Sequence, residues 1–353
     1  MALIDAVSIQ RVRPASPFAR AVSLNRPRGR AGREARAMHN EGVSLPGGMD
    51  DCERPLRPLS VPEHVARYRS VDNFCAQFKE FKAAFADAAN VKAKGHLFVV
   101  TGDRGYGKTS LRQRCAFWMR VEYAPSHLDC EIVVVDLSDE DWKNDTSNMR
   151  IVRVRDWILD EMSGWLDPED ITRIRNFTDM FASFKALGTA LRTRGAETGD
   201  PKPIVLVVLL PGYPSVVELE EYYRLAREGM VLLAEVLDVD ATREITDKID
   251  KSHENFRRDS IDAHVLPLGE LKPGDDELLM ARIQADLANC PAFSNGEVLA
   301  SFKGLIQTRK VGVSQLMKLL IGVLENAMAE QANVVTVDHI IRYYNSLNYE
   351  PRD

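Results

Sequence analysis

The chain has 353 residues, 45% of them hydrophobic, which is enough apolar material for one large α/β domain and a smaller appended one. The longest convincing apolar run, 204–210, is far shorter than the roughly 18 residues that cross a bilayer, so we expect no membrane association. Five cysteines without a C-x-x-C pair argue against disulfides or a cysteine-bound metal, and we expect reduced thiols and a cytoplasmic location.

Charge is distributed unevenly along the chain. Residues 1–60 contain ten arginines and six acidic residues, a net charge of +4, which leaves −10 for the rest of the chain. The acidic body does not indicate a nucleic-acid groove, although a local basic patch is compatible with it. Residues 1–60 also carry several prolines and glycines and show no helical or strand period, so we expect this segment to be disordered.

Three explanations compete for the basic segment: a tail that grips nucleic acid, a targeting peptide, or upstream sequence that is translated in the gene model but absent from the native protein. Met38 and Met49 offer later starts, and nothing in the first 50 residues looks necessary for folding. We therefore favour the third explanation, with a flexible basic arm next. A secretory signal is not expected, because no apolar stretch of about 7–15 residues follows the charges.

Folded sequence is predicted to begin near residue 61 with a helix over 71–89, followed by a buried strand at 97–101. Directly after that strand, residues 102–109 read Gly-Asp-Arg-Gly-Tyr-Gly-Lys-Thr, the G-x-x-x-x-G-K-[ST] phosphate-binding pattern. An apolar helix period then starts near Lys108. Strand, glycine loop and helix therefore stand in the order that binding of a nucleotide phosphate requires.

The chemistry of this loop indicates the magnesium-bound phosphates of a nucleoside triphosphate as its ligand. Its glycines let successive backbone N–H groups point inward at a phosphate, and the following helix N-terminus adds partial positive charge. Lys108 is expected to bridge the β- and γ-phosphates, and the Thr109 hydroxyl to hold Mg²⁺. The predicted cofactor-binding residues are Gly102, Asp103, Arg104, Gly105, Tyr106, Gly107, Lys108, Thr109 and Ser110.

Further strands alternate with helices and predict a three-layer parallel α/β sheet. Strands are expected at 131–136, 204–210 and 263–268, and residues 139–200 read as a helical insertion with helices at 151–165 and 171–191. The apolar run 230–237 is either a fourth strand or the end of a helix begun at Val217. The core that binds the nucleotide is therefore predicted to span 61–268.

From Gly269 onward the strand signals disappear, and we predict a C-terminal helical lid over 269–353. Helices are expected from Asp275, over 297–308, from Ser314 as a cap, and from Thr336 as a cap. The third of these helices places a set of apolar residues inward: Leu316, Leu319, Leu320, Val323 and Ala327.

With these elements in place, the chain resembles the AAA+ ATPases, in particular their origin-recognition and STAND-like branch, over roughly residues 60–350. The resemblance is most specific at the glycine loop; the lid segments 278–282, 309–320 and 335–341 match only by pattern. It implies that ATP lies between core and lid, that binding or hydrolysis moves the lid, and that subunits assemble around the nucleotide.

One departure from the family concerns the third strand, which should end in an acidic pair that serves the metal and the attacking water. Here it ends Leu209, Leu210, Pro211, Gly212, so slow or absent hydrolysis is expected. Asp136, at the end of the second strand, is the preferred substitute for metal and catalysis; the alternative is an ordinary turn cap beside Ser138. The glutamates at 218, 220 and 221 are interpreted as a solvated helix face.

A second departure concerns the cation that the lid should present to the γ-phosphate. The best-aligned residue is Gln315, and Arg309 or the neighbouring Lys310 is the candidate in its place. Arg257 and Arg258 are candidates to act across a subunit boundary, with plain surface solvation as the alternative for all four cations. Tyr106 is expected at the rim of the loop.

Three functions compete on this evidence. The favoured one is a nucleotide-dependent switch or weak ATPase that controls an unidentified protein partner. Assembly of the chain into a homo-oligomer is compatible with this function. The alternative is an active ATPase motor or loader that acts on nucleic acid. A phosphotransferase acting on a small molecule is least favoured, because the chain shows no evident acceptor site.

Overall fold

The computed structural model describes the chain from Arg54 to Tyr349, with gaps. The described ranges are 54–127, 129–140, 142, 144–193, 202–212, 214–237, 243–248, 251, 261–287, 290–293, 296–309 and 311–349. The predicted disorder of residues 1–60 therefore falls almost wholly outside the described residues. Within them, no helix is long and apolar enough to cross a membrane.

A five-stranded, fully parallel sheet forms the centre of the core, in the order β2-β3-β4-β1-β5. Its strands are β1 (Gly95–Thr101), β2 (Glu131–Asp136), β3 (Ile204–Leu209), β4 (Met230–Glu235) and β5 (Ile261–Pro267). All residues of β1, β3 and β4 are buried, as the continuous apolar runs predict for strands covered on both faces. The predicted three-layer parallel α/β class is confirmed.

Helices cover both faces of the sheet, and four more form the C-terminal region. The core helices are α1 (Asp72–Ala84), α2 (Ala88–Ala93), α3 (Lys108–Phe117), α4 (Ser147–Glu161), α5 (Pro168–Asn176), α6 (Met180–Thr193) and α7 (Val216–Leu225). The lid helices are α8 (Asp275–Asp286), α9 (Gly296–Thr308), α10 (Val313–Ala329) and α11 (Val337–Tyr349). Short 3₁₀ turns lie at Pro62–Arg67 and Met162–Gly164, and π-helical turns at Trp118–Tyr123. Residues 243–248 and Ala124–His127 form further short helical segments.

The ambiguous run after Gly229 is a strand. Helix α7 ends at Leu225, and Gly229 adopts a φ of 75°, a turn conformation that favours glycine. The chain then enters the sheet as β4, where Leu206 and Val208 of β3 pair with Met230 and Leu232. The spacing of apolar residues could not distinguish a strand from a helix here, because every residue of β4 is buried and the run is apolar without a clear period.

Two helix boundaries and one cap differ from the sequence predictions. The helix predicted over 171–191 is two helices, because the Asp179 carboxylate caps a new N-terminus by accepting a hydrogen bond from Phe181 N–H at 3.0 Å. The helix predicted over 71–89 likewise divides into α1 and α2. Helix α10 is capped by Gly312 rather than Ser314.

The lid has a hydrophobic core of its own. The five residues predicted to face inward on α10 are all buried, and they pack with side chains of α8 and α9 such as Ile283 and Phe302. Helix α11 closes this core because Gly322 of α10 leaves room for the ring of Tyr343. A Cβ atom added at Gly322 would lie 1.9 Å from Tyr343 Cε2.

We expect Gly322→Ala to destabilise the protein by roughly 1–3 kcal/mol, because the added methyl group overpacks the contact between α10 and α11. The matched control is Gly304→Ala in α9, where an added Cβ meets nothing within 4 Å. That change should stabilise by about 0.5–1 kcal/mol, since alanine is the better helix former. Urea denaturation of both variants checks the pair, and equal effects would contradict the packing described for Gly322.

Candidate functional site

The glycine loop, residues 102–107, connects β1 to the first turn of α3. Gly102, Gly105 and Gly107 have φ values of 140°, 88° and 93°, all in the region that side chains disfavour. A Cβ at Gly102 would also lie 2.6 Å from the carbonyl oxygen of Leu268. The loop conformation therefore depends on glycine for backbone torsion and, at Gly102, for close packing as well.

Lys108 is the first residue of α3, and its side chain folds back over the loop. The Lys108 Nζ donates hydrogen bonds to the carbonyl oxygens of Gly102 at 2.6 Å and Asp103 at 2.8 Å. Burial lowers the pKa of the Lys108 ammonium, and the carboxylates of Glu235 and Asp103 oppose that shift. The loop thus holds a largely buried cation at the place where the sequence predicts the phosphates.

Thr109 is hydrogen-bonded to a carboxylate that the sequence analysis missed. Its hydroxyl donates to Glu235 Oε2 at 3.0 Å, and Arg112 Nη2 lies 3.0 Å from the same oxygen. Glu235 is the last residue of β4, and it stands beside Val100 of β1 in the sheet register. Because the run that contains it was ambiguous between strand and helix, the sequence did not place Glu235 at the carboxyl edge of the sheet.

Arginine side chains bind the backbone after β3 and the neighbouring strand β4. Arg112, whose side chain is fully buried, donates from Nη1 to the carbonyl oxygens of Leu210 at 2.8 Å and Leu233 at 3.1 Å. Arg150 donates to the carbonyl oxygen of Gly212 at 2.9 Å. Guanidinium groups therefore occupy the surroundings of the strand end where the resemblance implies two acidic side chains.

Asp136 makes contacts that suit a turn cap. It accepts hydrogen bonds from the Gln113 side chain at 2.6 Å and from Ser138 N–H at 3.0 Å. It is not among the residues that line the cleft described below. A metal or catalytic role for Asp136 stays a prediction, and the contacts favour the turn-cap alternative.

The glutamate cluster of α7 is only partly the solvated face that the sequence predicted. Glu220 and Glu221 pair with Arg224 near the surface. Glu218 is instead buried, so the prediction is wrong for this residue. Its Oε1 lies 3.3 Å from Arg150 Nε and accepts a hydrogen bond from Tyr222, and burial raises the pKa of its carboxyl group.

A cleft of about 240 Å³ lies between the glycine loop and the lid, and we call it the loop–lid cleft. The core contributes Arg104, Gly105, Gly107, Lys108, Thr109, Ser110, Glu235 and Leu237 to its lining. The lid contributes Arg282, Val313, Ser314 and Met317, and the segment before the first helix contributes Arg54 and Pro55. Among the described residues, several cations and one carboxylate thus line a space beside the loop that is predicted to bind the phosphates of a nucleotide.

The lid is attached directly to the glycine loop. Ser314 N–H, in the first turn of α10, donates to the carbonyl oxygen of Gly105 at 2.8 Å. Tyr106, which we expected at the rim, is buried and packs its ring on Gly312, where an added Cβ would lie 2.5 Å from Tyr106 Cδ1. The glycine loop is therefore in direct contact with the N-terminus of α10.

The predicted lid cations lie elsewhere or outside the described residues. Arg309 is exposed and lines a separate surface cavity beside Tyr344. Lys310, Arg257 and Arg258 fall outside the described residues. Gln315 accepts a hydrogen bond from Gly312 N–H at 3.0 Å and so caps α10. Arg282 of α8, which the sequence analysis did not single out, is the lid arginine that lines the cleft.

Residues 54–59, which we call the strap, pack against α3, the helix that follows the glycine loop. Leu56 N–H donates to Ser110 Oγ at 3.0 Å, and the Leu56 side chain is buried. The Tyr68 hydroxyl donates to the carbonyl oxygen of Ser110 at 2.8 Å. Arg57 forms a two-pronged ion pair with Asp139. The strap thereby forms one wall of the loop–lid cleft.

Comparison with known proteins establishes the fold. No protein-family sequence model and no curated protein sequence matches the chain. The ORC1 protein of Aeropyrum pernix, solved in complex with DNA, superposes with a TM-score of 0.51 at 13% identity, over 82% of this chain and 69% of that chain. Drosophila ORC bound to DNA superposes at 0.50 and 12% identity, over 88% and 70%. The chain therefore shares the fold of these origin-recognition proteins, and the predicted fold is confirmed.

Proposed function

We propose that the loop–lid cleft binds Mg-ATP and that its occupancy switches the lid between two positions, with slow or partner-stimulated hydrolysis. One observation carries the proposal: the carbonyl oxygen of Gly105, in the loop that would hold the phosphates, accepts the hydrogen bond from Ser314 of the lid. The same backbone segment would therefore contact both the phosphates of the nucleotide and the lid.

The charges around the cleft suit a polyphosphate. Lys108, Arg104 and Arg282 line it together with Arg54, whereas Glu235 is the one carboxylate among the described residues that line it. The Lys108 ammonium is held by two loop carbonyls, which are weaker partners than an anionic phosphate. A bound triphosphate would draw Nζ away from Gly102 and Asp103 and would recruit the backbone N–H groups of the loop.

Movement of the loop would reach the lid through two contacts. Gly105 and Tyr106 are consecutive loop residues, and both contact the first residues of α10. A ligand that rearranges the loop must alter the hydrogen bond to Ser314 or carry α10 with it. ATP would thus shift the population toward the lid position that binds it more tightly. The size of this shift is set by the difference in ATP affinity between the two lid positions.

The third strand explains why we favour a switch over a fast motor. Phosphoryl transfer to water needs a group that orients the nucleophile. The residues at the end of β3 have apolar side chains or, at Gly212, none, and the guanidinium groups of Arg112 and Arg150 bind the carbonyl oxygens there. The proposal therefore includes slow turnover unless a partner supplies the missing group.

We expect Lys108→Ala to lower ATP affinity at least about a hundredfold, since a charge-assisted contact worth roughly 3 kcal/mol is lost. Isothermal titration calorimetry on the wild type and the variant measures this change. Lys303→Ala, at an exposed position of α9, is the matched control and should bind ATP as the wild type does. Equal affinities for Lys108→Ala and the wild type would refute nucleotide binding by this loop.

We expect Ser314→Pro to uncouple the lid from ATP. Proline removes the N–H that bonds Gly105, yet the first turn of a helix tolerates it. Hydrogen exchange of α10 with and without ATP gives the readout: protection should change on ATP addition in the wild type, and by less than half as much in Ser314→Pro. Asp338→Pro, at the same position of the first turn of α11, should respond as the wild type does. A full response in Ser314→Pro would contradict this coupling.

The competing functions separate in one set of measurements. ATP turnover is followed on the same sample with and without DNA, because both superposed structures are DNA complexes. Strong stimulation by DNA would select the motor or loader, whereas tight binding with negligible turnover supports the switch. Labelled phosphate found on an added small acceptor, rather than released as free phosphate, would instead select the phosphotransferase.

A further inference from the structure

We infer that Glu235 is the metal carboxylate of this site: with the Thr109 hydroxyl it binds the Mg²⁺ of the nucleotide, from β4 rather than from β3. The inference rests on the proposed ATP binding and deepens it, because it names the residue that takes over from the acidic pair absent from β3. Neither the resemblance nor the sequence periods indicated Glu235.

The sheet order puts Glu235 in the right place. Strand β4 lies directly beside β1, which leads into the glycine loop, and Glu235 is paired with Val100 near the end of β1. Neighbouring strands are about 4.8 Å apart, so a β4 carboxylate lies within side-chain reach of the first turn of α3. The 3.0 Å hydrogen bond between Thr109 Oγ1 and Glu235 Oε2 confirms that the two side chains meet.

The donor set fits magnesium. Mg²⁺ binds hard oxygen ligands and is held in nucleotide sites by one or two carboxylates together with phosphate oxygens. The Thr109 hydroxyl and the Glu235 carboxylate supply two such ligands at the wall of the loop–lid cleft. Among the described residues, no cluster of three or more histidine, cysteine, aspartate or glutamate side chains could bind a metal. The ion is therefore expected to arrive with the nucleotide, whose phosphates complete its coordination.

Arg112 positions Glu235 in this arrangement. Its buried guanidinium contacts Glu235 Oε2 and the carbonyl oxygens of Leu210 and Leu233, so it fixes the carboxylate at the edge of the cleft. A neighbouring cation also weakens the attraction of a carboxylate for a metal ion. We accordingly expect metal binding that depends strongly on the nucleotide, with little affinity for Mg²⁺ alone.

Asp136 is less well placed for the same role. It lies on β2, with β3 and β4 between it and β1, which corresponds to about 14 Å across the sheet. Its carboxylate is already bonded to Gln113 and to the turn at Ser138. Asp136→Asn is therefore the matched control, because it removes one negative charge from the same edge of the sheet.

The test measures the ATP affinity of the full chain by calorimetry, in excess MgCl₂ and in EDTA. We expect Mg²⁺ to tighten binding about tenfold or more in the wild type and in Asp136→Asn, and less than about threefold in Glu235→Gln. In EDTA, Glu235→Gln should bind ATP at least as tightly as the wild type, because a negative charge near the phosphates is gone. That metal-free titration also shows that the variant is folded.

Two results would overturn the inference: full metal dependence in Glu235→Gln, or its loss in Asp136→Asn. Should Glu235→Gln fail to fold because Arg112 loses its counter-ion, the double variant Glu235→Gln with Arg112→Met removes both charges. We expect the same loss of metal dependence in it, with an ATP affinity in EDTA close to that of the wild type because the net charge is unchanged. Absence of ATP binding by the wild type in either buffer is a different outcome, which refutes the proposed function itself.

Discussion

The buried guanidinium of Arg112 is the interaction on which the carboxyl edge of the sheet depends. A fully buried charge is costly unless it is paired and hydrogen-bonded. Arg112 is paired with Glu235 and donates from Nη1 to the carbonyl oxygens of Leu210 and Leu233, whereas its Nε and Nη2 make no hydrogen bond to a described residue. It ties the helix after the glycine loop to β3 and β4 together. Together with the Thr109–Glu235 hydrogen bond and the pairing of β4 with β1, this side chain holds the wall of the cleft in place.

Much of the fold could be predicted because its signals are local. The apolar runs of β1, β2 and β3, the glycines of the loop and the inward residues of α10 all lie in short stretches whose period or composition is distinctive. The order of strands and helices then restricted the topology to a parallel sheet. Each of these features depends on residues that are neighbours in the sequence, so it can be recognised without knowing which distant residues it contacts in the fold.

The candidate site was less predictable, because its members come together only in the folded chain. Glu235 is 126 residues from Thr109, and Leu56 is 54 residues from Ser110. A carboxylate at a strand end reads the same in sequence whether it binds a metal, as we propose for Glu235, or caps a turn, as the contacts of Asp136 indicate. Burial of Glu218 likewise depends on Arg150, which belongs to the helical insertion.

The strap has a practical consequence for anyone who works with this protein. The sequence suggests that the first 60 residues can be removed. Leu56 is nevertheless buried against α3, and its backbone N–H donates a hydrogen bond to the Ser110 hydroxyl oxygen. A shortened protein that begins at the first predicted helix would lack the strap. The loop–lid cleft would then lose one wall, and the apolar surface that Leu56 covers would be exposed. Shortened versions intended for crystallisation should therefore start upstream of Arg54.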